Sequence, residues 1–183
     1  MSNYSRADAT FGAYAAALGL LVAVLLVMAF VVSARNEEHI PRVDYGSDAQ
    51  ELSRTAEYTV LVPEDLPEGW VPTSSRLDAE DGQESGGAAP AAWTLGFATP
   101  EDMHARVSMS DAEPERFVAR TTEHGDPDGE SEIGDATWER YLNEGEEQRS
   151  LVRADEGGAT VVVTGSADYK ELETLAGSLR PRE

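Results

Sequence analysis

The sequence predicts an α+β fold: one N-terminal transmembrane helix followed by a mostly antiparallel sheet with two packed helices. Three observations carry that prediction. An uninterrupted apolar run from Phe11 to Val32, with no charged side chain between Asp8 and Arg35, covers 22 residues. At ~1.5 Å per residue, one helix of that length crosses a hydrocarbon core of roughly 30 Å. Beyond it, several short stretches alternate large apolar with small or polar side chains at period two, the pattern of half-buried strands. Two other stretches carry the start, stop and periodicity signals of helices.

The chain divides into a short cytoplasmic tail over 1–10, a transmembrane helix over 11–33, a stalk over 34–55 and an extracytoplasmic α+β domain over 56–183. Val32-Ser33-Ala34 offers small residues where a signal peptidase cuts, after Ala34. The apolar segment nevertheless exceeds the roughly 7–15 residues of a signal core and its leading segment is barely basic, so an uncleaved anchor is expected. Arg6 precedes the span while Arg35 and Arg42 follow it, so positive charge does not orient it. The shortness of the tail favours an inside N-terminus, with the C-terminal domain outside the cell membrane. Ala15, Gly19 and Ala23 recur at four-residue spacing on one face of the span, a small-residue pattern that lets helices approach closely and could support a homodimer.

From Arg35 to Thr55 the chain is charged, contains Pro41 and Gly46 and shows no helical period, which reads as a stalk. Tyr58 to Val62 is a short apolar strand stopped by Pro63. Leu66-Pro67-Glu68-Gly69 supplies turn residues, and Trp70 opens an extended segment through Arg76. Asp78 to Pro90, rich in Gly, Ala, Ser and acids, predicts a mobile loop. Trp93, Leu95 and Phe97 then alternate with Thr94, Gly96 and Ala98. After Thr99-Pro100, Ala105, Val107 and Met109 alternate with Arg106, Ser108 and Ser110, so two antiparallel neighbours are expected.

Pro114 suits the first turn of a helix that carries Phe117, Val118 and Thr121 to one side and stops before Gly125. An acidic loop to Gly134 follows. Strands Thr137 to Leu142, Gln148 to Arg153 and Ala159 to Thr164 are joined by turns short enough for hairpins. Finally, Asp168 caps a helix in which Glu171 completes a capping box. Leu172, Leu175, Ala176 and Leu179 form its apolar stripe, and Pro181 ends it.

Charge restricts the partners. The chain carries 14 Lys and Arg against 35 Asp and Glu, net −21, and nearly all of that charge lies beyond the span. Such a surface repels nucleic acids and anionic headgroups, which are held by basic side chains that displace counterions, so no nucleic-acid partner is expected. There is no Cys. Disulfides, thiolate metal sites, a Cys nucleophile and an acylated lipoprotein Cys are thereby excluded.

Catalytic patterns are missing too. His39, His104 and His124 show no metal-ligand spacing, and no nucleotide-binding or nucleophile-elbow motif occurs. Ser166 after Gly165 lacks the second glycine of such an elbow and reads as a strand-to-helix turn. Asp126-Pro127-Asp128-Gly129-Glu130-Ser131-Glu132 departs from a calcium loop, because glycine comes at the fourth position and Thr137 stands where a bidentate Glu is needed. Trp70, Trp93 and Trp138 fall in strand-like stretches and are expected in the core. Arg149 and Arg153 flank Leu151 on one strand face, the first place to look for a small polar site. Pairing with nearby carboxylates is their expected state. No cofactor and no metal ligand set is expected.

A series of short pieces occurs in order behind the span: Leu66-Pro67-Glu68-Gly69-Trp70, Thr94-Leu95-Gly96-Phe97-Ala98-Thr99-Pro100, Phe117-Val118-Ala119, Trp138-Glu139-Arg140-Tyr141, Arg149-Ser150-Leu151-Val152-Arg153 and Val162-Val163-Thr164-Gly165-Ser166-Ala167. In this order they resemble an uncharacterised family of single-pass membrane proteins of high-GC Gram-positive bacteria, classed as a domain of unknown function. The resemblance implies an inside tail, one span and an exported domain. It brings no catalytic or ligand residues.

The expectation is therefore a membrane-anchored, extracytoplasmic and non-enzymatic interaction or accessory module. Its partners would be the lipid bilayer through residues 11–33 and an envelope protein or wall component. The alternative from another class is an envelope enzyme working with carboxylates, or a divalent-cation-dependent binder.

Overall fold

A computed structural model describes residues 6–35, 43–79, 91–154 and 158–182, and within the first helix the side chains of residues 14–28. The chain forms two compact units, Met1–Ile40 and Pro41–Glu183.

The first unit is helix α1 (Arg6–Arg35). Its described large apolar side chains, among them Tyr14, Leu18, Leu21, Leu25 and Met28, are all exposed. Ala15, Gly19 and Ala23 follow one another along one face of it, also exposed, and a Cβ on Gly19 would meet nothing within 4 Å. Among the described residues no helix is long and apolar enough to cross a membrane.

The second unit begins with helix α2 (Gly46–Thr55), followed by strands β1 (Leu61–Pro63), β2 (Val71–Ala79), β3 (Ala91–Ala98) and β4 (His104–Ser110). Helix α3 (Pro114–Thr121) comes next, then strands β5 (Asp126–Ile133), β6 (Ala136–Asn143), β7 (Gln148–Ala154) and β8 (Thr160–Gly165). Helix α4 (Tyr169–Gly177) and strand β9 (Leu179–Pro181) close the chain. Seven strands make one antiparallel sheet in the order β2-β3-β4-β8-β7-β6-β5, while β1 and β9 pair as a separate ribbon. The expected neighbours β3 and β4 pair Trp93 with Met109 and Leu95 with Val107.

Period-two alternation decides which face each side chain takes. On the first face, Trp93, Leu95, Val107, Met109, Leu151, Val161 and Val163 join one buried cluster with Leu52 of α2 and with Leu172 and Leu175 of α4. The other face carries Val152 and Val162 under Phe117 of α3. Elsewhere that second face carries hydroxyl pairs: the buried Ser150 and Thr164 are 2.7 Å apart, and the half-buried Thr94 and buried Ser108 are 3.1 Å apart. Cross-strand hydroxyl pairs satisfy polar groups that would otherwise oppose burial.

Trp93 on β3, Trp138 on β6 and Trp70 just before β2 are all buried in the first-face cluster. Four sequence expectations need correction. The segment expected as a stalk over 34–55 contains α2, whose Leu52 is 2% exposed and belongs to the core. The domain therefore has three helices rather than two. Its acidic stretch after Gly125 is a strand, not a loop: β5 pairs with β6 through a bulge between Pro127 and Glu130, placing Ser131 opposite Trp138. Leu179 does not extend the α4 stripe but leaves the helix and pairs with Pro63 in the ribbon. Of the loop expected over Asp78–Pro90, residues 80–90 lie outside the described residues, as do residues 155–157 of the turn expected over Asp155–Gly158.

The capping box of α4 is half formed. Asp168 Oδ1 accepts from the Glu171 amide at 2.9 Å, but Glu171 Oε2 is buried without a hydrogen-bond partner.

Candidate functional site

A concave feature among the described residues of the second unit lies beneath α3 on the second face of the sheet. Three local devices hold that helix. Pro114 stands in its first turn, and the Glu113 carboxylate accepts from the amides of Glu115 and Arg116 at 3.3 and 3.0 Å, occupying donors that a helix start leaves unpaired. At the other end Glu123 and His124 take left-handed φ values of 54° and 59°, which turns the chain out of the helix. Asn143 Nδ2 then donates to Glu123 O at 2.7 Å, and Arg106 Nη2 lies 3.6 Å from the Glu123 carboxylate.

The buried residues of α3 are Phe117 and Thr121. A groove of about 570 Å3 remains between the helix and the sheet, within the roughly 300–1,000 Å3 typical of ligand pockets. Its wall is Val118 and Ala119, its floor is Tyr141 and Val152, and Glu115 and Glu139 stand at its rim. Glu115, Val118, Ala119 and Thr122 follow i, i+3, i+4, i+7 and so share one helix face. Tyr141 OH donates to Glu139 Oε2 at 2.9 Å. Burial and that carboxylate raise the Tyr141 phenol above its ordinary pKa, so it stays a neutral donor.

On the first face, a polar cluster forms around Arg140. Arg140 Nη2 donates to Glu173 Oε1 at 2.7 Å, its Nε donates to Ser131 Oγ, and its guanidinium lies 4.5 Å from the Tyr169 ring. Ser131 Oγ donates to the same Glu173 oxygen at 2.7 Å. Tyr169 OH is 2.8 Å from Asp128 Oδ2 and 3.1 Å from Tyr141 O. Burial first, and the Asp128 hydrogen bond next, push the Tyr169 phenol well above its usual range. With its charged partners inside the cluster, this network clamps α4 to β5 and β6.

Arg149 and Arg153 do share the first face with Leu151, yet they serve different neighbours. Arg153 lays its guanidinium 4.9 Å from the Trp138 ring, covering an aromatic face with a cation. Arg149 stands near enough to Tyr169 for its charge to lower that phenol's pKa. Four residue steps along β7 separate their Cα atoms by about 13 Å. Arg140 was hidden from sequence reasoning because its partners Ser131 and Glu173 come from β5 and α4. Only its placement two residues from Trp138, on the same strand face, hinted at it.

His124 lines one end of the groove. His104 begins β4, where partial burial, and then the nearby Arg106 charge, lower its pKa. His39 lies outside the described residues. Ser166 serves the turn: its Oγ accepts from the His104 amide at 3.1 Å. Among the described residues, no three His, Cys, Asp or Glu side chains are grouped to hold a metal ion.

Two solved structures are similar in fold. One, MucB in complex with MucA(peri), is 20% identical, with a TM-score of 0.40 over 67% of this chain and 36% of that one. The other, the Pseudomonas aeruginosa MucA/MucB complex, is 22% identical, with a TM-score of 0.39 over 68% and 36%. This chain thus spans little more than a third of the length of those chains. Comparison with curated proteins yields no match. Over residues 6–179 the sequence matches the family described as Protein of unknown function (DUF4245), and the chain belongs to that family.

Proposed function

We propose that this protein is a non-enzymatic interaction module, tethered at the outer face of the cell membrane, which receives a partner in the groove beneath α3. The observation that carries the proposal is the unequal cover of the sheet. One face is closed by α2 and α4, whereas an eight-residue helix on the other leaves an apolar-floored groove. Filling it would remove the half-buried Val118, Ala119 and Tyr141 from water, which favours association in proportion to the apolar area covered. Support for the tether comes from α1: its large apolar side chains between residues 14 and 28 are exposed, and a helix apolar all round belongs in lipid or in a protein core. The charge-free sequence from Phe11 to Val32 extends that character in both directions.

A photo-crosslinking residue placed at Ala119 of the full-length protein in cells tests the groove. A discrete adduct from position 119, absent from the exposed position Glu51 on α2, is the expected result. Identical backgrounds from both positions would reject the groove as the recognition surface.

A further inference from the structure

We infer that the groove beneath α3 takes a cationic amphipathic segment of a partner protein, apolar side chains inward and Lys or Arg outward; this rests on reading the groove as the recognition surface. The distribution of charge around the groove carries the inference. Its lining sets Val118, Ala119, Tyr141 and Val152 between two carboxylates, Glu115 on α3 and Glu139 on β6, with His124 and Arg153 also among the lining residues. Beyond Glu139 the acidic edge continues, because Glu130 of β5 is its direct cross-strand partner. Two like charges placed opposite each other on a sheet repel. Both side chains are exposed, and a cation laid between them would relieve that repulsion.

Among the described residues, the cations near the groove are engaged away from Glu115 and Glu139 in the contacts that follow. On α3, Arg116 and Arg120 fall on the helix side away from Glu115, Val118 and Thr122, and Arg120 rests 5.9 Å from the Phe117 ring. The Arg153 guanidinium is over Trp138, in the core of the opposite face. Arg106 is engaged by Glu123, and Arg140 by Glu173. Acidic partners would meet only repulsion from a chain of net charge −21. The groove also runs alongside α3, which at ~1.5 Å per residue is about 12 Å long. An amphipathic segment of about two turns matches that length, and helix-in-groove docking places its i, i+3 and i+4 anchors on one line.

The test uses the full-length chain in phosphatidylcholine nanodiscs, with empty nanodiscs as the blank. The probes are two fluorescent amphipathic peptides of about three helical turns, one of Leu and Lys and one of Leu and Glu, followed by anisotropy. The Leu/Lys peptide is expected to bind and the Leu/Glu peptide not to. Combining Glu115→Gln, Glu130→Gln and Glu139→Gln should weaken binding about tenfold. Combining Glu51→Gln, Glu57→Gln and Glu68→Gln, which removes the same charge from exposed positions elsewhere, should leave it unchanged. Val118→Arg should abolish binding while thermal melting shows the fold retained.

Equal weakening by the two Gln sets would overturn the inference in favour of diffuse attraction to an acidic surface. Equal binding of the two peptides, blocked by Val118→Arg, would overturn the charge preference and leave the groove standing as a docking surface. Failure of the Leu/Lys peptide to bind overturns the inference as well. The position 119 crosslink then reports separately whether the groove is used in cells.

Discussion

A Cβ at Gly165 would fall on the carbonyl oxygen of His104 and against Cα of Ala105, both backbone atoms of the paired strand β4. Backbone at that distance cannot rotate away as a flexible side chain can. Gly165→Ala is therefore expected to cost about 1–3 kcal/mol through forced separation of β4 and β8, read as a lower urea midpoint. An unchanged midpoint would show that the strands part without penalty. His104 itself gives a pH signature. Its imidazole has a lowered pKa in the folded chain, from partial burial first and Arg106 second. As pH falls from about 7 toward 5, the unfolded chain takes up this proton near 6.5 before the folded chain does, so stability drops with acid through that window. In His104→Gln the difference from wild type should shrink the acid loss of Tm over that range; parallel Tm curves would contradict it. The Arg140 cluster makes a third point at this scale. A cation, two carboxylates, a hydroxyl and a phenol satisfy one another there, so residues that look reactive in composition serve as a fastening for α4.

Among the elements, α2 separates two accounts of the chain just after α1. As a stalk it would contribute nothing to stability, whereas as a core helix it buries Ala49 and Leu52 against the sheet. Leu52→Ala should cost about 2–5 kcal/mol, the range for removing a buried Leu side chain, measured by chemical denaturation of the full chain. A loss below roughly 0.5 kcal/mol would return the segment to the status of a tether. Asp48 fixes the helix further, accepting from Ser75 Oγ, which in turn accepts from Trp93 Nε1 at 3.1 Å. Strand β5 makes the complementary case. It is the edge of the sheet, mostly exposed and rich in carboxylates, a composition that discourages another strand from pairing there. The same composition makes it resemble a loop when read without β6.

For the whole molecule, the proposed tether is tested with the chain's own lack of Cys. A single Cys at Glu146, exposed in the β6–β7 turn, should react with a membrane-impermeant maleimide on intact cells, and the full-length product should sediment with membranes. Labelling only after lysis would reverse the orientation, and recovery of the full-length product from the detergent-free soluble fraction would end the tether proposal. Calcium offers a second global measurement. A site occupied at 100 times its dissociation constant adds about 2.7 kcal/mol to folding stability. Under the interaction-module proposal millimolar calcium leaves Tm unmoved; a rise would favour the cation-dependent reading instead.

The elements legible in the sequence share one property: their pattern is local. Trp93, Leu95 and Phe97 declare β3 by alternation, Pro114 and Phe117 mark α3, and Asp168 with Leu172 and Leu175 marks α4. Those spacings alone determined the α+β class, the antiparallel neighbours and the burial of the three tryptophans. Other features exist only through distant partners. Two apolar positions in ten residues could not announce α2, and β5 needs β6 beside it to be a strand. Leu179 leaves its helix because β1 offers backbone hydrogen bonds that a helix ending at Pro181 could not continue. The groove belongs to this second group, since its wall comes from α3 and its floor from β6 and β7. Periodicity along a chain dictates which face of an element is apolar, but a concave site is made by the gap between elements, and the packing of α3 through Phe117 and Thr121 decides where that gap falls.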